Sequence, residues 1–164
     1  MGTGAATLVL GLGNPVLSDD AAGLRAASAL AALLEADPIE GVWVGTSTRG
    51  GFELIDLLAG SQHAIIIDAL TVPSPSPGAI RRLTLTDVAG SARLIGAHDI
   101  SVATAFELAA QLGIRMPSAV EIIGVECADT LTVSEGLTPE VEAAVEALAR
   151  ELHGQLKARN RGCD

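Results

Sequence analysis

The run Ala64-Ile65-Ile66-Ile67-Asp68-Ala69-Leu70 decides the fold. It is apolar at odd and even positions alike and rich in β-branched isoleucine. That is the composition of a strand covered on both faces, as in the centre of a parallel sheet. Upstream, Thr7-Leu8-Val9-Leu10 is a second buried strand, closed by the turn Gly11-Leu12-Gly13-Asn14-Pro15. Downstream, Val120-Glu121-Ile122-Ile123-Gly124-Val125 is a third. Helical spacing fills the intervals. In residues 19–36, Leu24, Ala27, Leu30, Leu33 and Leu34 recur at three- and four-residue steps, with Ser18 as N-cap and Asp37-Pro38 as stop. Val42-Trp43-Val44 reads as a strand, Gly50-Gly51 breaks it, and residues 52–58 are apolar at helical spacing. Residues 71–77 alternate Pro and Ser and form a surface loop. Residues 80–85 read as a more polar edge strand, and 87–97 as an irregular connection ending at His98. A helix from 99 or 100 to 112 follows, and Thr138-Pro139-Glu140 opens the last one, with Val141, Val145, Leu148 and Leu152 on one face. Strands alternating with helices predict a three-layer α/β/α sandwich.

At 164 residues, a single domain spanning 1–164 is expected, with a frayed polar tail over about 157–164. The composition, 49% hydrophobic against 18% charged, excludes wholesale disorder. Ten basic and twenty acidic residues leave a net charge of −10, which disfavours nucleic acid and anionic membranes as partners. No apolar run reaches the ~20 residues of a bilayer span. The amino terminus lacks the charged segment of a signal peptide. Cys127 and Cys163 form no CxxC pair, which fits a reducing cytoplasm.

In an open α/β sheet, reactive groups are expected outside the carboxyl ends of the strands. Three stretches compete for that edge. Asp19-Asp20 follow the first strand, although acids at a helix start also serve the helix dipole alone. Asp68 ends the isoleucine run, where a carboxylate is costly to bury without a partner or a metal. His98 lies in a loop before a helix, whereas His63 and His153 read as surface residues. Asp20, Asp68 and His98 together would offer two oxygens and one imidazole nitrogen, a set suited to a borderline divalent metal with positions left open. Glu126 and Asp129 could reach the same edge, so composition does not select the three. The G-x-G-x-x-G fingerprint fails at Val16, no G-x-S-x-G elbow is present, and neither cysteine has an evident base beside it.

Gly11-x-Gly13-Asn14 with Asp19-Asp20 and Gly23, then Ile67-Asp68-Ala69, His98 and Gly136-Leu137-Thr138-Pro139-x-Val141, together resemble the nickel-iron hydrogenase maturation proteases over nearly the whole chain. The resemblance implies a twisted, mostly parallel five-stranded sheet of phosphorylase/hydrolase-like type, with residues 80–85 as its antiparallel member. It implies a cytoplasmic endopeptidase that removes a carboxyl-terminal extension from the hydrogenase large-subunit precursor once nickel is inserted. Asp20, Asp68 and His98 occupy the family's metal-binding positions and would be both the metal contacts and the catalytic residues. The nickel would be contributed by or shared with the precursor, and no organic cofactor is implied. A monomer is the simplest expectation. One loop departs from the family: many members carry an acid followed by Gly and Thr after the second strand, where this chain reads Thr46-Ser47-Thr48-Arg49-Gly50-Gly51.

Two other readings fit parts of the chain. A non-catalytic nickel-sensing assembly module would use the same three residues without cutting, and single-equivalent saturation with no peptide release would reveal it. The opening Gly11-Leu12-Gly13-Asn14-Pro15 also looks like that of peptidyl-tRNA hydrolase, but Ser18-Asp19-Asp20 stands where that family needs a histidine, and the charge is wrong for tRNA.

Overall fold

The computed structural model describes residues 7–73, 75–89 and 102–161. Among these, five strands, β1 (Thr7–Leu12), β2 (Val42–Ser47), β3 (His63–Leu70), β4 (Ile80–Leu83) and β5 (Ala119–Glu126), alternate with five helices, α1 (Ala22–Ala36), α2 (Glu53–Leu58), α3 (Leu85–Ala89), α4 (Val102–Gln111) and α5 (Pro139–Arg161). The strands form one sheet in the order β2-β1-β3-β5-β4. All neighbours are parallel except β4, which runs antiparallel to β5. The isoleucine run is the central strand, buried at every residue after His63.

Alternation along the strands builds two cores. Val9, Ile65, Ile67, Ile123 and Val125 share one face with Ala22, Ala26 and Leu30 of α1 and with Val141, Val145, Leu148 and Leu152 of α5. Leu10, Leu12, Ala64, Ile66 and Ile122 share the other with Leu54 and Leu58 of α2 and with Val102, Ala105 and Ala109 of α4. The three-layer sandwich is therefore as the sequence predicts. Among the described residues, no helix is long and apolar enough to cross a membrane.

Glycine lets α1 start directly over the strand tips. A β-carbon on Gly23 would lie 2.3 Å from the carbonyl oxygens of both Leu12 and Ile67, and one on Gly11 would lie 2.2 Å from the carbonyl oxygen of Gly23. Any side chain at either position would push the helix off β1 and β3. The segment leading into α1 is thereby held against the end of β3.

Several local expectations are corrected. Ser18 caps no helix: residues 19–21 form a 3-10 turn before α1, and the Ser18 hydroxyl instead donates to the Gly136 carbonyl oxygen at 3.3 Å. The edge strand ends at Leu83, and the connection after it contains α3. Thr84 and Asp87 cap α3 reciprocally, with Thr84 N–H donating to Asp87 Oδ2 at 2.7 Å and Asp87 N–H to Thr84 Oγ1 at 3.3 Å. The last helix continues to Arg161, through the first five residues of the polar tail. Leu156 is buried there, and the Lys157 ammonium pairs with Asp37 at the end of α1. His153 is half-buried, its Nε2 lying 3.0 Å from the Asp37 carbonyl oxygen, rather than a plain surface residue. The expected start of α4 at 99 or 100 and the tail residues 162–164, Cys163 among them, lie outside the described residues.

Candidate active site

The carboxyl ends of β1, β3 and β5 converge on one edge of the sheet, and five acids of the described chain lie there: Asp19, Asp20, Asp68, Glu126 and Asp129. Burial and hydrogen bonding sort them.

Asp19 is completely buried, and both of its oxygens are engaged. Oδ1 accepts from Thr138 N–H at 2.7 Å and Oδ2 from the Thr138 hydroxyl at 3.0 Å. Glu126, 1% exposed, accepts from Ser76 N–H at 2.7 Å and from the Arg81 guanidinium. These bonds, Ser76 first, hold its carboxyl below the usual range. Asp129 closes its own loop, Oδ1 accepting from Leu131 N–H at 3.2 Å and Thr132 N–H at 3.0 Å. Its carboxyl is likewise held low, chiefly by Thr132. The two acids that sequence left as alternatives are thus absorbed by structural roles.

Asp68 differs from all three. It is 2% exposed, its Oδ1 accepts only from the adjacent Ala69 N–H at 2.8 Å, and its Oδ2 is buried without a hydrogen-bond partner among the described residues. Burial pushes its carboxyl up to about 7, the Ala69 N–H opposes that rise, and the negative charge of Asp20 adds to it. Asp20 is half-buried and lies on the 3-10 turn that packs against β3. Its main chain is fixed by the turn closing β1. Asn14 N–H donates to the Asp20 carbonyl oxygen at 3.2 Å, and a β-carbon on Gly13 would lie 2.1 Å from that oxygen. Gly-x-Gly-Asn is therefore the seat of the acidic turn, and no phosphate cradle is needed to explain its glycines.

The structure brings together two of the three expected site residues, Asp20 and Asp68, while His98 lies outside the described residues. Among those described, no group of three or more His, Cys, Asp or Glu side chains is placed to hold a metal ion. The two carboxylates suit a divalent cation nevertheless. An unpartnered buried oxygen beside a second acid is an incomplete donor set, and a cation would complete it. Cys127, which follows Glu126, is buried, and its thiol lies 3.1 Å from the Val125 carbonyl oxygen. Burial first, and then the charge of Asp19, push that thiol up to about 12. It stays protonated near neutrality and is no thiolate nucleophile.

The sequence singles out Asp20 for the site and offers its neighbour Asp19 no role beyond the helix dipole. The partner that distinguishes them, Thr138, lies 119 residues away. The available signal was Gly136-Leu137-Thr138-Pro139, a stretch with no local reason for its composition beyond opening α5.

Comparison with known proteins bears on the family and the fold. A family model described as hydrogenase maturation protease matches residues 31–155, a span that contains Asp68 and His98 but not Asp20. The hydrogenase 2 maturation protease of Escherichia coli K12 is 32% identical over 152 residues, covering 92% of this chain and 90% of that protein. Among solved structures, the hydrogenase maturating endopeptidase HybD from Escherichia coli superposes with a TM-score of 0.71 at 30% identity over 93% of each chain. An endopeptidase from Escherichia coli solved in solution superposes with a TM-score of 0.74 at 26% identity, again over 93% of each. The chain is thus a peptidase that belongs to the hydrogenase maturation protease family.

Proposed function

We propose that this peptidase removes the carboxyl-terminal extension of a nickel-iron hydrogenase large-subunit precursor after nickel has been inserted, and that it does so as a single-domain monomer in the cytoplasm. Asp20, Asp68 and His98 contact the nickel carried by the substrate. The observation that carries this reading is the buried, unpartnered Oδ2 of Asp68, with Asp20 close enough for its charge to act on it. A fold that satisfies Asp19, Glu126 and Asp129 leaves this oxygen without a partner among the described residues, at the strand edge where α/β proteins bind ligands.

In the free protein, burial disfavours two ionised carboxylates side by side, so Asp68 tends to hold a proton. A metal-bearing substrate favours both in their charged forms and is registered by them. A precursor without nickel offers nothing to offset that charge and is poorly held. Engagement of the metal fixes the precursor against the ends of β1 and β3, which orients the neighbouring peptide for hydrolysis. A bound divalent ion at such a point polarises a carbonyl or lowers the pKa of water, and a carboxylate at the same edge takes up a proton.

The test is the intact mass of a nickel-loaded precursor incubated with catalytic amounts of wild type, Asp20→Ala or Asp68→Asn protein, beside a nickel-free precursor. Repeated release of a discrete carboxyl-terminal peptide by the wild type, and only from loaded precursor, is expected. A stable one-to-one complex without mass loss would replace this reading with that of a nickel-sensing assembly module.

A further inference from the structure

Asp19 is the most buried acid of the chain's described part, yet it neighbours Asp20 and takes no part in the chemistry above. Its carboxylate is spent on one residue, Thr138, whose N–H and hydroxyl both donate to it at 2.7 and 3.0 Å. Main-chain contacts also tie the same two segments together. Asp19 N–H donates to the Asp129 carbonyl oxygen at 3.0 Å, Ser18 N–H to that of Thr132 at 2.9 Å, Ser134 N–H to that of Val16 at 3.1 Å, and Leu17 bridges Val133. The turn bearing Asp20 is thus strapped on one side to residues 129–138 and seated on the other against Gly13 and Asn14.

From this geometry we infer that Asp19 and Thr138 are positioning residues for the proteolytic site, locking the Asp20 turn to the residue that immediately precedes α5. The inference rests on the reading of Asp20 given above. The serine before the turn makes no side-chain cap to it, and the turn is only three residues long, so its direction depends on the bonds to residues 129–138. A buried carboxylate with both oxygens committed to one partner fixes direction as well as distance, which a single hydrogen bond does not. The reciprocal motif elements Asp19-Asp20 and Gly136-Leu137-Thr138-Pro139 then have one explanation. The second holds the first, and Pro139 starts α5 at once, so that the anchor is the end of a 23-residue helix rather than a loop.

The test compares wild type with Thr138→Val, Thr138→Ser, Asp19→Asn and the Asp19→Asn/Thr138→Val double variant. Valine keeps the shape and the N–H of Thr138 but loses the hydroxyl, whereas serine keeps both donors. Three quantities are read: the melting temperature, amide hydrogen exchange over residues 13–23 and 127–138, and kcat and KM for a nickel-loaded precursor. Thr138→Val is expected to melt within a few degrees of wild type, to exchange about tenfold faster over 13–23 with the rest of α1 unchanged, and to lose about tenfold or more in kcat. Thr138→Ser should recover both losses, and the double variant should be no worse than Asp19→Asn, since both changes cut one link. Unchanged exchange over 13–23 in Thr138→Val overturns the tether. Faster exchange with wild-type kcat overturns the positioning role. Absence of cleavage by the wild type itself is a failure of the proposed function, and the exchange data then still decide whether the tether exists.

Discussion

β3 and β5 lie side by side, and each carries a buried acid at its carboxyl end. Leu70 pairs with Glu126 across the ladder, and Asp68 with Gly124. The two residues are 2% and 1% exposed. They part company in their partners. Glu126 receives Ser76 N–H and the Arg81 guanidinium, and its proton affinity falls. Among the described residues, Asp68 receives one N–H from its own neighbour, keeps a bare oxygen and has a second acid beside it, and its proton affinity rises. At this edge a satisfied acid organises loops, and an unsatisfied one marks the place where the fold expects something from outside.

The sharpest way to break the comparison is to remove each charge in turn. Asp68→Asn is expected to lower kcat for precursor cleavage by about a thousandfold while leaving the fold intact, because the amide keeps the Ala69 contact and is uncharged like the protonated acid. Glu126→Gln should do the reverse. Its melting temperature falls by roughly 5 °C as the Ser76 and Arg81 bonds weaken, and turnover of the folded protein stays within about threefold. Cleavage assays and thermal melts on the same two preparations check both arms. Equal loss of turnover in the two variants would erase the distinction.

Acidity offers a second comparison, of intermediate size. An ordinary carboxyl titrates near 3.8, whereas Asp68 in the folded protein titrates near 7. Between these values the folded state retains a proton that the unfolded chain has released. Its contribution is therefore present at low pH, declines as pH rises from about 4 to about 7, and is absent above. Three pH units correspond to about 4 kcal/mol at most. With chelator present, unfolding followed in urea across this range should show a decline in wild type that Asp68→Asn largely abolishes. A wild-type profile identical to that of the variant would contradict the burial argument.

The legibility of the site follows from the range of the interactions that make it. β1, β3 and β5 were readable because the two-residue period and the β-branched run are local, and so was the 3.6-residue pattern of α1 and α5. The reciprocal cap Thr84-Asp87 is equally local, and it marks α3 across the boundary between the expected edge strand, 80–85, and the expected irregular connection, 87–97. Asp129 is also explained within three residues, by Leu131 and Thr132. Glu126 and Asp19 were not decidable in this way. Glu126 finds Arg81 only because β4 folds back antiparallel, and Asp19 finds Thr138 across the whole chain. Asp68 stands out as an acid in an apolar run, yet that its second oxygen has no partner among the described residues is a property of the assembled edge. The extent of α5 was misjudged because Lys157 reads as polar tail, although its partner is Asp37 at the end of α1.

The smallest expected effect concerns Cys127, one residue beyond Glu126 and therefore at the end of the same strand. A cysteine so close to a proteolytic site invites a nucleophilic role, and its surroundings argue against one. It is 1% exposed, its S–H points to carbonyl oxygens of Val125 at 3.1 Å and Asp19 at 3.5 Å, and burial followed by the charge of Asp19 drives the thiol up to about 12. With a pKa there, about one thiol in 10⁵ is ionised at pH 7, too few to attack a peptide. Cys127→Ala should therefore keep turnover within about twofold, with the modest loss of stability that one buried sulfur implies. Iodoacetamide applied to the native protein should leave the peptide containing Cys127 unmodified, as read by mass mapping. A tenfold loss of turnover in Cys127→Ala, or rapid alkylation blocked by the precursor, would shift the chemistry from the end of β3 to the end of β5. The contrast between the two strand ends would then have been drawn the wrong way round.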